Sequence, residues 1–165
     1  MKQETFVFHA LPKNVDELMA IPEAALTTPF MTAAVTVAAL CAYGENPAAC
    51  IEMLNALKGP QPLSNHDIQF MRDRMAGKPY KPFSYFAGAT PKNGYVPDVP
   101  YTITVFDGVA SYPEEGHVSL YIKSGGADTP RPLSMRLKPS TGQWFLTQQS
   151  LLGDIRIPEA EDPWA

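Results

Sequence analysis

Two periodicities of apolar residues divide the chain into two halves. In the first half, apolar positions recur every three to four residues, as in residues 29–41 and 47–58, which is the spacing of helical faces. In the second half, apolar and polar residues alternate, as in residues 101–107 and 131–138, which is typical of strands with one buried face. Helices followed by strands predict an α+β fold, with an N-terminal helical layer packed on a C-terminal, mostly antiparallel sheet of about four to five strands.

Residues suited to helix capping mark where the helices begin. After a short opening strand, "ETFVFHA", the pair Asn14 and Glu17 has capping-box spacing and predicts a short helix. Thr28 and Asn46 each precede a proline, and Ser64 begins a third capped segment, so three more helices are expected. The helix after Thr28 is apolar on all sides, which predicts a position at the centre of the fold.

A stretch rich in proline and aromatic residues separates the two halves. Residues 77–100 contain five prolines, three glycines and five aromatic residues. A disordered linker rarely holds so many aromatic side chains, so we expect a fixed wrap packed onto the fold. A length of 165 residues fits one domain. We therefore predict a single domain over 1–165 that is mainly helical over 1–77, with a wrap at 78–100, a sheet at 101–150 and an acidic tail at 151–165.

The charge balance argues against nucleic acid and anionic membranes as partners. The formal net charge is -4, so no global attraction to polyanions exists. Between Arg72 and Lys92 there are five basic residues, one acidic residue and four aromatic residues, a mixture that also occurs in single-strand binding surfaces. Packing of the proline-flanked aromatic residues against the helices explains this stretch equally well, and we do not expect nucleic-acid binding.

The amino terminus and the cysteines predict a cytoplasmic protein. The opening residues lack the apolar core of a secretory signal, and the longest apolar run, residues 31–43, is shorter than the about 20 residues of a membrane span. Two cysteines, Cys41 and Cys50, cannot form a disulfide framework, and we expect both as buried, inert thiols.

The sequence contains no motif for catalysis, a metal or a cofactor. His9, His66 and His117 have no partners at metal-ligand or triad spacing, and neither a CxxC pair nor a GxSxG elbow is present. A site assembled across the fold stays open as an alternative, because catalytic triads are defined by geometry rather than sequence order. The sequence favours a domain without enzymatic activity, metal or cofactor, and it assigns no oligomeric state.

The most patterned stretch is "KSGGADTPRPLSMRLK", residues 123–138. Gly125 and Gly126 follow a strand, where we expect them to supply positive φ angles, and Asp128 is suited to close the turn. Arg131 stands beside Asp128 at the start of the next strand, which allows two interpretations. The two side chains form a local salt bridge, or Arg131 and the glycine amides hold a phosphate or carboxylate.

Two tryptophans have alternative roles. Trp144, in "STGQWFL", either closes the sheet over the core or stacks on a ligand. Trp164, in "EDPWA", either folds back onto the domain or forms part of a peptide for a partner. The glycine turn, the strand beginning at Arg131 and the G-x-W strand together resemble the last hairpin of nuclear-transport-factor-like and cystatin-like sheets. That resemblance implies a sheet curled around a helix, with room for a ligand pocket.

Two functional hypotheses follow from these features. The first is a non-enzymatic binding or protein-interaction module, whose contact surface comprises Tyr80, Phe83, Tyr85, Phe86 and Trp164 together with the region of Asp128, Arg131 and Trp144. The alternative is a domain with a pocket between helices and sheet for a small anionic ligand, with or without catalysis. Its candidate residues are Asp128, Arg131, Arg136 and Trp144.

Several segments together resemble one known family. They are "ALPKNVDELMAIPEAAL", "IEMLNALKGPQPLS", "SYFAGATPKNGYVP", "SGGADTPRP", "STGQWFL" and "EDPWA". On these segments the chain is identified as a member of a family of small uncharacterised proteins, a domain of unknown function, from anaerobic Gram-positive bacteria. The resemblance implies a self-contained cytoplasmic domain and supplies no catalytic residue, cofactor or substrate.

Overall fold

The helices and strands follow the order that the sequence predicts. The computed structural model describes all 165 residues. The helices are α1 (Val15–Met19), α2 (Pro29–Leu40), α3 (Pro47–Lys58) and α4 (Asn65–Met75). The strands are β1 (Gln3–Phe8), β2 (Tyr101–Phe106), β3 (His117–Ile122), β4 (Arg131–Lys138) and β5 (Gln143–Gln149). The helices all lie between β1 and β2 in the chain, and the predicted α+β fold with a C-terminal antiparallel sheet is confirmed.

The helix starts are fixed by the predicted caps. Thr28, Asn46 and Ser64 each accept, through the side-chain oxygen, a hydrogen bond from the backbone N–H three residues later. These bonds satisfy donors that have no partner inside the helix. Gly59 ends α3 with a φ of 60°, a conformation that glycine adopts without steric cost.

The sheet is an antiparallel meander in the order β1-β2-β3-β4-β5. Strands β2 and β3 pair only through Val105 with Ile122 and Phe106 with Tyr121, and beyond these residues they diverge. Residues 84–89 fill the wedge between the diverging strands. The Ala87 N–H donates to the carbonyl of Thr102, and the Gly125 N–H donates to the carbonyl of Ser84, each at 2.8 Å.

Helix α2 lies at the centre of the fold, as its all-round apolar sequence predicts. It contacts all five strands, and every residue from Thr32 to Leu40 is buried. Its two buried hydroxyls are both satisfied, since Thr36 donates to the Thr32 carbonyl at 2.7 Å and Thr32 donates to the Trp144 carbonyl at 2.6 Å. Neither α2 nor any other helix has both the length and the apolar character that crossing a bilayer requires.

The wrap and the beginning of the C-terminal segment complete the core. The ring of Tyr80 stacks on Tyr95 with centroids 5.2 Å apart, and the Tyr85 hydroxyl donates to the Leu151 carbonyl. Leu151, Leu152 and Ile155 are buried, so the segment expected to be an acidic tail begins inside the core. A cluster of 34 buried apolar residues includes members of the helices, the wrap and the sheet.

Candidate functional site

A basic cleft lies where the β3–β4 turn meets the wrap and the segment after β5. Its cavity measures about 460 Å³. Four cations line this cleft together with two carboxylates, those of Asp128 and Asp154. The cations are Lys78, Lys81, Arg131 and Arg156. We call this the Arg131 cleft.

Close packing, rather than unusual backbone angles, requires the two glycines of the turn. Gly125 and Gly126 are not among the residues with positive φ, so the expectation of positive φ angles was wrong. A Cβ on Gly125 would lie 2.0 Å from the Ala89 carbonyl oxygen, and one on Gly126 would lie 2.1 Å from the Tyr95 hydroxyl. The glycines therefore allow the turn to sit directly on the wrap, which fixes the position of the cleft.

The guanidinium of Arg131 is held by neutral oxygens. It donates to the Thr129 hydroxyl at 3.1 Å and to the Asp154 carbonyl at 2.7 Å. Asp128, the expected salt-bridge partner, instead pairs with Arg156 at 2.9 Å. The local Asp128–Arg131 bridge is thus absent, because the segment after β5 brings a second arginine to the turn.

Lys81 is the most buried cation of the cleft, with only 4% of its surface exposed. Its ammonium donates to the carbonyls of Arg74 at 2.9 Å and Leu152 at 3.1 Å, which joins the end of α4 to the segment after β5. Burial lowers the pKa of Lys81, and the positive charges of Lys78 and Arg74 lower it further, whereas Asp154 opposes the shift. No carboxylate lies within ion-pair distance of Lys81.

Two of the predicted ligand-binding residues lie outside the Arg131 cleft. Arg131 aligns with the buried face of β4, whereas Arg136, five positions later, projects from the opposite face. Trp144 is half-buried and packs against the core. Its backbone N–H donates to the Leu26 carbonyl at 2.9 Å, so this residue joins the edge of β5 to the helical layer.

The Arg131 cleft lies elsewhere than the pocket that the sequence predicts. That pocket was placed between helices and sheet; α2 packs directly against all five strands, and a cavity of about 420 Å³ lies between α3, α4 and β5, with Lys58 and Arg74 as its cationic side chains. A larger groove of about 640 Å³ lies near the divergence of β2 and β3. Lys123 is its single cationic side chain, and Thr102, Thr104 and Ser124 contribute hydroxyls, so it has fewer cationic side chains than the Arg131 cleft.

The aromatic residues of the wrap do not form an exposed patch. Tyr85 and Phe86 are buried, and Tyr80 and Phe83 are half-buried, because their rings fill the space beside the sheet. In this structure these four residues are mainly core residues, and not the contact surface expected from the sequence. Trp164 is different, with 93% of its surface exposed.

The histidines and cysteines do not form a metal-binding group. No group of three or more histidine, cysteine, aspartate or glutamate residues is arranged to hold a metal ion. The Cys41 and Cys50 thiols are both free and buried. Burial raises the pKa of Cys41, with a further contribution from Cys50, and burial raises the pKa of Cys50 to about 12. Both groups are therefore neutral thiols with little nucleophilic thiolate.

Three of the four cations of the cleft were not predicted from the sequence. Lys78, Lys81 and Arg156 come from the wrap and from the segment after β5, which are not periodic. A partial signal existed, since two of the three belong to the basic and aromatic stretch between Arg72 and Lys92. Their convergence depends on the path of the wrap, which no local pattern specifies.

Comparison with known proteins gives a family and no activity. No curated protein and no solved structure is significantly similar to the chain. The sequence model of the family described as "Domain of unknown function (DUF6935)" matches residues 10–159, which include every element from α1 to β5 and all four cations of the Arg131 cleft. This description assigns no function to any residue. With nearly its whole length matched, the chain belongs to the DUF6935 family.

Proposed function

We propose that the domain binds a small anionic molecule, through a carboxylate or phosphate group, in the Arg131 cleft. The observation that carries this proposal is that only Arg156, among the four cations, is neutralised by an ion pair. Arg131 and Lys81 are held by neutral oxygens, and the Lys78 ammonium has no hydrogen-bond partner. Because a buried or half-buried cation is costly without a counter-charge, an anion entering this cleft would lower the free energy of Lys81 and Arg131, and the exposed Lys78 would add to its attraction.

The donors available in the cleft suit an oxyanion. A guanidinium has five N–H donors in a planar fork, and Arg131 uses two of its nitrogens to bond protein oxygens. Its Nε is buried on the side of Tyr85, so the remaining N–H groups of the two terminal nitrogens are the donors that face the cleft. The backbone N–H groups of Asp128 and Thr129, in the lining turn, also lack a protein acceptor. Arginine donors combined with turn amides are a common arrangement for carboxylate and phosphate groups.

A thermal-shift series with succinate, citrate and inorganic phosphate tests this proposal. A ligand that binds only the folded protein raises the melting temperature in a saturable way. We expect such a shift for the wild-type chain and an apparent affinity at least about tenfold weaker in the Lys78→Gln/Arg131→Gln double variant, which corresponds to about 1.4 kcal/mol. Lys78→Gln alone is a useful intermediate, because this exposed side chain forms no structural bond.

The matched control is Lys13→Gln, which removes an exposed cation far from the turn in sequence and outside the lining of the cleft. We expect it to respond as the wild type does. An equal loss of affinity in this control would show that the overall charge of the protein, and not the cleft, determines the affinity. That result would contradict the proposal. Absence of any saturable shift, combined with a protein partner whose capture depends on Trp164, would favour the second candidate.

That second candidate is a protein-interaction module that uses Trp164. The observation favouring it is the exposure of this large apolar side chain. The backbone N–H of Trp164 donates to the Asp162 carboxylate at 2.8 Å. A tryptophan on an ordered, acidic segment suits insertion into an apolar pocket of a partner. The aromatic residues of the wrap are mainly buried, so they do not form a continuous apolar surface with Trp164. The small-ligand proposal therefore has the stronger support.

The proposal places this binding in the cytoplasm of a bacterium, in keeping with the resemblance to proteins of anaerobic Gram-positive organisms. The free state of Cys41 and Cys50 supports a reducing compartment.

A further inference from the structure

A second basic cleft lies on the opposite face of β4 from Arg131. Arg136 and Lys138 project from the outer face of this strand, and Lys58 reaches them around the edge of β5, where its ammonium donates to the Thr147 carbonyl at 3.0 Å. The cavity measures about 300 Å³. Arg136 lies five positions after Arg131, which is about 17 Å along the strand, so the two clefts are distinct. We call this second one the Arg136 cleft.

The charge of the Arg136 cleft is entirely positive. Its lining includes Lys58, Arg136 and Lys138 and contains no carboxylate. Neither Arg136 nor Lys138 forms a hydrogen bond or an ion pair through its side chain within the protein. Burial lowers the pKa of Lys58, with Asp67 opposing the shift, which is consistent with an ammonium drawn partly out of water. Three cations in one concavity favour a ligand group with more than one negative charge.

An apolar wall stands beside these cations. Phe145 is paired directly with Arg136 across the β4–β5 ladder and is half-buried. Its ring packs on the backbone of Gly59, where an added Cβ would lie 2.6 Å from the ring. The ring position is therefore fixed by the turn that ends α3, and Pro60 and Pro139 extend the apolar lining.

From this juxtaposition we propose that the Arg136 cleft binds a phosphate monoester that carries a planar, apolar group. The phosphate lies among Lys58, Arg136 and Lys138, where the guanidinium donates to two phosphate oxygens. The planar group lies against Phe145. A volume of about 300 Å³ fits a ligand of this size and is at the lower end of small-molecule sites. This inference does not rest on the function proposed for the Arg131 cleft.

Calorimetric titration of the full chain with phenyl phosphate tests the inference. We expect saturable binding of phenyl phosphate that is at least about tenfold tighter than binding of inorganic phosphate or benzoate, because only phenyl phosphate combines the double charge with a ring. The Arg136→Gln/Lys138→Gln variant is expected to bind at least tenfold more weakly. Phe145→Leu is expected to reduce the preference for phenyl phosphate over inorganic phosphate and to leave the affinity for inorganic phosphate unchanged.

Two controls separate this site from general electrostatics and from the Arg131 cleft. Lys123→Gln removes an exposed cation outside the Arg136 cleft, and Lys78→Gln/Arg131→Gln disables the other cleft. Both controls are expected to keep the tight binding of phenyl phosphate at the Arg136 cleft, although the second loses the weaker phosphate binding at the Arg131 cleft. Wild-type affinity in Arg136→Gln/Lys138→Gln, or an equal loss in Lys123→Gln, would overturn the inference. Equal affinity for phenyl phosphate and inorganic phosphate would contradict the proposed contact between the planar group of the ligand and Phe145. Melting temperatures measured without ligand identify any variant that loses binding by unfolding.

Discussion

Replacement of Gly125 by alanine is expected to lower the free energy of unfolding by about 3 kcal/mol. The added Cβ would lie 2.0 Å from the backbone carbonyl oxygen of Ala89, which is far inside van der Waals contact. The obstacle is a backbone atom, so no side-chain rotation relieves the clash, and the turn must separate from the wrap. The Gly125–Ser84 hydrogen bond is lost with that movement. Urea unfolding of both proteins under identical conditions measures the difference.

Gly153→Ala is the matched control for this substitution. Gly153 has no positive φ, and nothing lies within 4 Å of a Cβ built there. We expect a change within about 0.5 kcal/mol, or a slight stabilisation because alanine restricts the unfolded chain. If Gly125→Ala were as mild as Gly153→Ala, the turn would not be seated on the wrap as described, and the shape of the Arg131 cleft would be wrong.

Replacement of Leu40 by alanine is expected to destabilise the fold by about 3 kcal/mol. Leu40 is fully buried near the end of α2, the helix that contacts every strand. Removing most of its side chain forfeits hydrophobic burial and leaves a cavity that the surrounding sheet fills only partly. Thermal unfolding followed by circular dichroism measures the effect, with an expected fall in melting temperature of about 10 °C for a chain of this size.

The comparison variant is Leu63→Ala, which makes the same chemical change at a half-buried position before α4. We expect less than half the effect of Leu40→Ala, because the Leu63 side chain buries less apolar surface in the folded protein. Water can also fill the space that the smaller side chain leaves. Equal effects at the two positions would contradict the central place of α2.

Much of the fold was predictable because its signals are local. Thr28, Asn46 and Ser64 mark helix starts through hydrogen bonds that reach only three residues along the chain. On β4, buried Leu133 and Met135 alternate with exposed Arg136, which follows from the two-residue period of a strand. Likewise, α2 has no polar face in its sequence and has no exposed face in the structure.

The Arg131 cleft was only partly predictable because its parts meet through long-range packing. The sequence singled out Asp128 and Arg131, which are close in the chain and lie together in the cleft. Arg156 and Lys81 reach the same place through the wrap and the segment after β5, and their positions depend on contacts such as Lys81 with Leu152. The aromatic wrap shows the same limit, because its composition predicted order but could not separate buried Tyr85 from a surface residue.

The role of Gly125 and Gly126 illustrates how one sequence feature fits two explanations. Both a turn with positive φ and a close backbone approach require glycine. Only the neighbouring atoms distinguish them, and these belong to Ala89 and Tyr95, more than 30 residues earlier in the chain. The two glycines allow the β3–β4 turn to pack on the wrap. That position of the turn places Arg131 and the unpaired N–H groups of Asp128 and Thr129 in the Arg131 cleft.

Backbone-amide NMR during a titration with succinate and then with inorganic phosphate tests the anion-binding proposal most directly. The account predicts saturable shifts of the amide resonances of residues 126–129, 131 and 154–156, and their loss in the Lys78→Gln/Arg131→Gln variant. It would be contradicted if the chemical shifts of those amides did not change up to high millimolar concentrations of both anions, or if the same saturable shifts persisted in that variant.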